Sequence, residues 1–165
     1  MRRLLLTLAV VIAAVSLTSC TEEEEDYAPV TMAVYVSDAT GNDLLDSSTE
    51  NNFTDRGITV TYNGVEYQID KTDVRDYELY KATTRAYMTS FMGGHIERVV
   101  GDKFRLVVGE WMGDSKWNDE TVTINWPDGT ENKLSFTLKK KGCTNATFTL
   151  DGEKNGKNNT FRLVK

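Results

Sequence analysis

Hydrophobic and polar residues alternate with a period of two along most of this chain, the pattern of β-strands that bury one face. Val30, Met32, Val34 and Val36 share one face of a first strand, and residues 37–43 that follow it have turn composition. Residues 58–62 and 65–69 flank Asn63-Gly64. That dipeptide predicts a tight hairpin, because both central residues of a type I′ turn need positive φ. Residues 104–111 (FRLVVGEW) are mostly apolar and read as a central strand. Val122, Ile124 and Trp126 alternate up to Pro127-Asp128-Gly129, a turn tripeptide that should return Leu134, Phe136 and Leu138 beside them. Ala146, Phe148 and Leu150 alternate with threonines. After the breaks at Asp151-Gly152 and Asn155-Gly156, residues 161–164 are expected to close a third hairpin.

The stretch from Tyr77 to Phe91 fits two periods. Tyr77, Tyr80, Thr84, Tyr87, Met88 and Phe91 form a helical stripe, yet Tyr87, Thr89 and Phe91 also fall on one face of a strand. Threonines and aromatics lean towards β structure, so a strand is expected over 84–92, with a short helix near 74–82 as the alternative. Strands every 8 to 14 residues without βαβ spacing predict an all-β fold. The expectation is an antiparallel β-sandwich of seven to nine strands, immunoglobulin-like or transthyretin-like, with Trp111, Trp126 or Phe136 as its central aromatic.

The N-terminus departs from this pattern. Arg2 and Arg3 precede an apolar stretch over residues 4–17, which is shorter than the roughly 20 residues a membrane-spanning helix needs. Small residues then lead to Cys20, and five acidic side chains, Glu22 to Asp26, follow almost at once. A charge run of this kind repels itself and stays solvated. Residues 1–19 therefore read as a removable signal peptide, 20–28 as an acidic tether and 29–165 as the β-sandwich domain. Loss of Arg2 and Arg3 leaves 17 basic against 25 acidic side chains, a formal charge of −8, so no nucleic-acid partner is expected. Lys139-Lys140-Lys141 reads as a solvated strand edge.

The search for chemistry is mostly negative. His95 is the one histidine, so a His₂ or His₃ metal site cannot be built within one chain, and two cysteines cannot make a Cys₄ zinc site. No Gly-x-Ser-x-Gly, phosphate-binding or dinucleotide motif occurs, and Ser90 near His95 is no triad by itself. His95 is expected at a partly exposed loop or strand start after Gly93-Gly94. No catalytic set, metal ion or cofactor is expected. Asp38, Asn42, Asp43 and Asp46 lack the spacing of an EF-hand and fit ordinary turns. The segment most like a site is 111–120, where Trp111, Asp114, Trp117, Asn118 and Asp119 could stack a sugar ring and bond its hydroxyls. The competing role is structural, with Trp111 finishing its strand and Trp117 folding back over the end of the sandwich.

Leu17-Thr18-Ser19-Cys20 resembles the lipobox of bacterial lipoproteins, which implies cleavage before Cys20 and a lipid on that residue. The acidic run resembles the export signal of Bacteroidetes surface lipoproteins, and Thr21 lacks the Asp associated with inner-membrane retention. These resemblances imply a protein held in the outer membrane through Cys20 and facing the cell exterior. GNDLLD, ITVTYNGVEYQI, FRLVVGEW and TVTINWPDGT are similar to segments of small Bacteroidetes lipoproteins of unassigned function, over residues 30–140. No catalytic or ligand residues come with that similarity. With a lipid on Cys20, Cys143 has no intramolecular disulfide partner. The expected function is a non-enzymatic binding or structural module with a glycan or surface-protein partner, an accessory of glycan uptake or adhesion. The alternative is a small hydrolase or inhibitor-like domain acting on envelope or host polymers through the 111–120 loop.

Overall fold

The structure, a computed structural model, describes residues 28–76, 91, 93–101 and 103–165. Its strands are β1 (Val30–Ser37), β2 (Thr59–Tyr62), β3 (Val65–Gln68), β4 (Val74–Asp76), β5 (Gly94–Val99) and β6 (Lys103–Trp111). They continue with β7 (Trp117–Asn125), β8 (Glu131–Leu138), β9 (Thr147–Leu150), β10 (Glu153–Gly156) and β11 (Thr160–Val164). Among the described residues one short helix, α1 (Phe53–Arg56), and a 3₁₀ turn at Cys143–Asn145 accompany them. The strands form two mostly antiparallel sheets, one ordered β11-β1-β6-β5-β4 and the other β10-β9-β8-β7-β2-β3. The protein is an all-β sandwich, with eleven strands among the described residues rather than seven to nine.

The alternation read along the chain supplies the core. Val30, Met32, Val34 and Val36 of β1 meet Leu106 and Val108 of β6 and Ile96 of β5 on the inner face of the five-stranded sheet. Val60, Val122, Ile124, Leu134, Phe136, Leu138 and Phe148 face them from the six-stranded sheet. Phe136 is the central aromatic, 1% exposed and ringed by Trp111, Trp117 and Phe148 at centroid distances of 4.7, 6.4 and 6.3 Å. Asn63 and Gly64 adopt φ of 50° and 76°, the pair of positive values the β2–β3 hairpin requires. The Pro127-Asp128-Gly129 turn joins β7 to β8 in the register Val122↔Leu134 and Ile124↔Asn132.

The third hairpin differs from expectation. It forms between β9 and β10 around Asp151-Gly152, whereas β11 crosses to the other sheet and pairs parallel with β1, Val34 opposite Phe161. The crossing is fixed locally: Asn155 Nδ2 donates to Asn158 O and Thr160 O, and Asn159 Nδ2 to Thr31 O (2.7, 3.1 and 2.9 Å). Phe161 is then buried in the core. Of the ambiguous stretch, residues 74–76 are strand β4 and Phe91 lies outside any strand. Residues 77–90 and 92, with most of the strand expected there, lie outside the described residues, as do residues 1–27 with Cys20.

The sandwich has two distinct ends. Val30 lies opposite Trp111, so the chain enters beside the 112–116 loop, the Asn63-Gly64 turn, the 139–146 crossing and residues 157–159. This is the entry end. The far end carries residues 38–57 with α1, the 127–130 turn, Asp151-Gly152 and Lys165, whose Nζ donates to Thr130 Oγ1 at 2.5 Å.

Candidate binding surface

The 111–120 segment is not one loop. Trp111 ends β6 with 4% of its surface exposed, and its ring packs on Phe136, Phe91 and Tyr62 at 4.7, 5.3 and 5.8 Å. Its indole N–H donates to Tyr62 Oη at 3.3 Å, and the Tyr62 hydroxyl donates to Glu120 Oε2 at 2.8 Å. Burial pushes that hydroxyl above its ordinary pKa, reinforced by the Glu120 carboxylate. Both faces of Trp111 are therefore spent inside the protein, and the stacking role expected of it is corrected to a core role. Trp117 is half-buried and donates its N–H to Met112 O at 2.9 Å, folding back over the end of the sandwich. Asp114 accepts from Ser115 Oγ at 3.1 Å, and Asn118 is exposed at the start of β7.

Asp119 goes elsewhere. A bulge between Trp117 and Glu120 gives it a φ of 56°, and its amide donates to Thr137 Oγ1 at 3.1 Å. It thus belongs to the outer face of the six-stranded sheet, away from Trp111. That face follows from the same alternation that builds the core: with Val122, Ile124, Leu134 and Phe136 turned in, the residues between them turn out. Thr61 lies opposite Thr123, Thr121 opposite Ser135, Ser135 opposite Thr149, and Thr137 opposite Thr147. The outcome is rows of hydroxyls running across the strands.

Several of these groups bond to one another. Thr121 Oγ1 and Ser135 Oγ are 2.8 Å apart, and Asn125 Nδ2 donates to Thr59 Oγ1 and Thr61 Oγ1 at 3.0 and 3.2 Å. A shallow, open groove of about 550 Å³ crosses the face, lined by Asp119, Thr121, Glu131, Lys133, Ser135, Thr149, Asp151 and Gly152. Asp151 shapes its rim. Its carboxylate accepts the Lys133 amide at 2.7 Å and Asn132 Nδ2 at 2.6 Å, while Asn132 Oδ1 accepts the Trp126 indole N–H at 2.8 Å. This chain of bonds ties the β9–β10 turn to the β7–β8 hairpin and keeps Asp151 occupied. Hydroxyls donate and accept alike, so such a face matches a partner that does the same, with rows about 4.8 Å apart. Sequence reading missed Thr121, Lys133, Ser135, Thr149 and Asp151. Their one signal was the repeated threonine on the polar phase of each strand.

The outer face of the five-stranded sheet is closed by comparison. His95 and Glu97, two apart on β5, are 5% and 3% exposed, so His95 is buried in a strand rather than partly exposed. Glu97 Oε2 accepts from Arg105 Nε and Nη2, both at 2.6 Å, in the register Glu97↔Arg105. On the neighbouring strand Arg75 grips Asp73 through Nε at 3.0 Å and Nη2 at 2.8 Å, which holds the Asp73 carboxyl below its usual range. Ser90 lies outside the described residues.

Among the described residues no group of three His, Cys, Asp or Glu side chains could hold a metal ion. Asp38 turns inward on its own loop, accepting from Thr40 N, Thr40 Oγ1, Asn42 N and Asn42 Nδ2 at 2.8–2.9 Å. Those bonds, the Asn42 side chain first, lower its pKa to about 2. Cys143 is half-buried in the 3₁₀ turn, and no described helix is long and apolar enough to cross a membrane. Neither the family models, the curated proteins nor the solved structures with which the chain was compared match it.

Proposed function

We propose that this chain is a lipid-anchored binding module displayed on the outer surface of a bacterial outer membrane, and that the hydroxyl-lined face of its six-stranded sheet takes a glycan strand. The anchoring half rests on Leu17-Thr18-Ser19-Cys20 and the acidic run after it. The binding half rests on one observation, the open groove between Asp119 and Asp151. Its hydroxyl, carboxylate and ammonium groups can exchange hydrogen bonds with sugar hydroxyls without an aromatic platform. Binding fits better than cleavage. Asp119, bonded at Thr137, and Glu131 stand six residues apart along β8, a backbone separation of about 20 Å, whereas glycosidase carboxyl pairs lie within about 10 Å, and Asp151, nearer Glu131, has both carboxylate oxygens taken by the Lys133 amide and Asn132.

Affinity electrophoresis of the protein through gels cast with neutral and acidic polysaccharides tests the ligand class. Retardation by a glycan, relieved by Thr121→Val with Thr149→Val, is the expected result; retardation relieved only by Trp117→Ala would move the site to the entry end. Protease treatment of intact cells tests the location. The domain should be shaved from whole cells, and survival until the outer membrane is permeabilised would put it on the periplasmic side.

A further inference from the structure

The groove on the six-stranded sheet is lined by hydroxyls and by charges that are not equivalent. Ser135 of β8 lies between Thr121 of β7 and Thr149 of β9, and three carboxylates, Asp119, Glu131 and Asp151, share the lining with one ammonium group, Lys133. Lys133 Nζ stands 3.6 Å from Glu131 Oε1, and Asp151 spends both oxygens on the Lys133 amide and Asn132. Asp119 differs from these. Its backbone is held, the amide donating to Thr137 Oγ1 and the carbonyl accepting from Thr121 Oγ1 at 3.2 Å, while its exposed carboxylate makes no hydrogen bond or ion pair among the described residues. Fixed at Thr137, Asp119 is four residues along β8 from Lys133, a backbone separation of about 14 Å. Lys139, beyond that end of the strand, is exposed, lines no part of the groove and forms no ion pair with Asp119.

We propose that the groove selects a glycan bearing free amino groups, with a sugar ammonium group seated on the Asp119 carboxylate beside the Thr121 and Ser135 hydroxyls, and that it rejects acidic glycans. This selectivity rests on the glycan reading of the face and adds to it the charge of the ligand. An ammonium group has three donors and no acceptor, and the Asp119 end offers a carboxylate that only accepts next to hydroxyl oxygens that can accept. A sugar carboxylate or sulfate would instead meet three like charges and one lysine already engaged by Glu131, a mismatch that costs affinity. Lys154, opposite Thr149 on β10, and Glu66, opposite Thr61 on β3, add one charge of each sign and leave that balance unchanged. A neutral sugar keeps the hydroxyl bonds and lacks the ion pair. An exposed ion pair contributes a factor of about two to five in affinity. It fades as salt shortens the screening length from about 10 Å at 0.1 M to about 3 Å at 1 M.

The test is titration calorimetry of the full chain, in mild detergent and a slightly acidic buffer of low salt, against oligosaccharides of equal length built from glucosamine, N-acetylglucosamine or galacturonic acid. The glucosamine oligomer should bind about two- to fivefold more tightly than its acetylated counterpart, and the galacturonic acid oligomer more weakly than either. Asp119→Asn should abolish the amine advantage and leave the affinity for the acetylated oligomer unchanged, because asparagine also tolerates the φ of 56° at this bulge. Glu50→Gln, which removes an exposed acid from the 38–57 loop outside the groove, should leave the advantage intact, and salt near 1 M should erase it. Equal affinities for the free and acetylated amines, or equal losses from Asp119→Asn and Glu50→Gln, would overturn the selectivity and leave the groove a glycan site. Galacturonic acid binding as tightly as glucosamine would overturn it as well. Failure of the glucosamine oligomer to bind would also sink it, and retardation in the polysaccharide gels then decides whether the glycan reading falls too.

Discussion

The two outer faces of this sandwich are built by the same alternation and put it to opposite uses. On the six-stranded sheet the outward positions hold mostly threonine, serine and asparagine beside the exposed Asp119, Glu131 and Lys133, groups that bond to each other or to water and leave the face open. On the five-stranded sheet the outward positions of β5 hold His95 and Glu97, which are buried, and the charge of Glu97 is met by Arg105. Exposed neutral groups contribute little to stability and are available to a ligand. A buried ion contributes through its partner and becomes costly when that partner is removed. Stability and recognition are therefore expected to divide between the faces.

The strongest test of that division is Arg105→Ala, which leaves the Glu97 carboxylate without its main ion-pair partner. It should lower unfolding stability by about 3–5 kcal/mol, read by denaturant titration, with glycan retardation unchanged in whatever fraction stays folded. Gly109→Ala should follow at about 1–3 kcal/mol. Gly109 has a φ of 74°, and a Cβ there would sit 2.0 Å from the Trp111 ring. On the open face Asp151→Ala removes the acceptor for Asn132 and the Lys133 amide, and should cost about 1–2 kcal/mol together with some groove binding. Thr121→Val with Thr149→Val should leave stability within about 0.5 kcal/mol yet weaken glycan binding about tenfold. A large stability loss from the threonine pair, or a negligible one from Arg105→Ala, would break the comparison.

The smallest expected effect concerns pH. The Asp38 carboxyl titrates near 2 in the folded chain against 3.8 unfolded, so its stabilising contribution is complete above about pH 4 and is lost as pH falls towards about 2. Asp73, held low by Arg75, acts in the same direction. Asp38→Asn should lower the neutral plateau of a stability–pH profile slightly and flatten its acid limb, leaving stability near pH 2 little changed.

The open face was legible in the sequence and the closed one was not. In 122–126 and 134–138 polar outward residues alternate with apolar inward ones, so strand, phase and hairpin follow directly. In β5 the sequence GHIERV offers a histidine and a glutamate where burial occurs, and period-two reading has no means of foreseeing an ion pair formed across to Arg105. The crossing of β11 was hidden for a related reason. Asn155-Gly156 signals a turn but not the sheet to which the chain returns. The candidate site was misjudged because a tryptophan at a strand end looks the same in sequence whether it faces a ligand or Phe136. The bulge that sends Asp119 to the outer face left no motif at all.

The parallel pairing of β1 with β11 bears on the order in which the molecule is assembled. β1 is flanked by β6 on one side and by the last strand of the described chain on the other, so its ladder stays half-made until residues 160–164 have been delivered. A contact closed over nearly the whole domain carries a large loop-closure cost and slows folding. The sandwich is consequently a structure that locks late. Until its final strand arrives, Phe161 is missing from the core and one edge of β1 remains an unzipped seam.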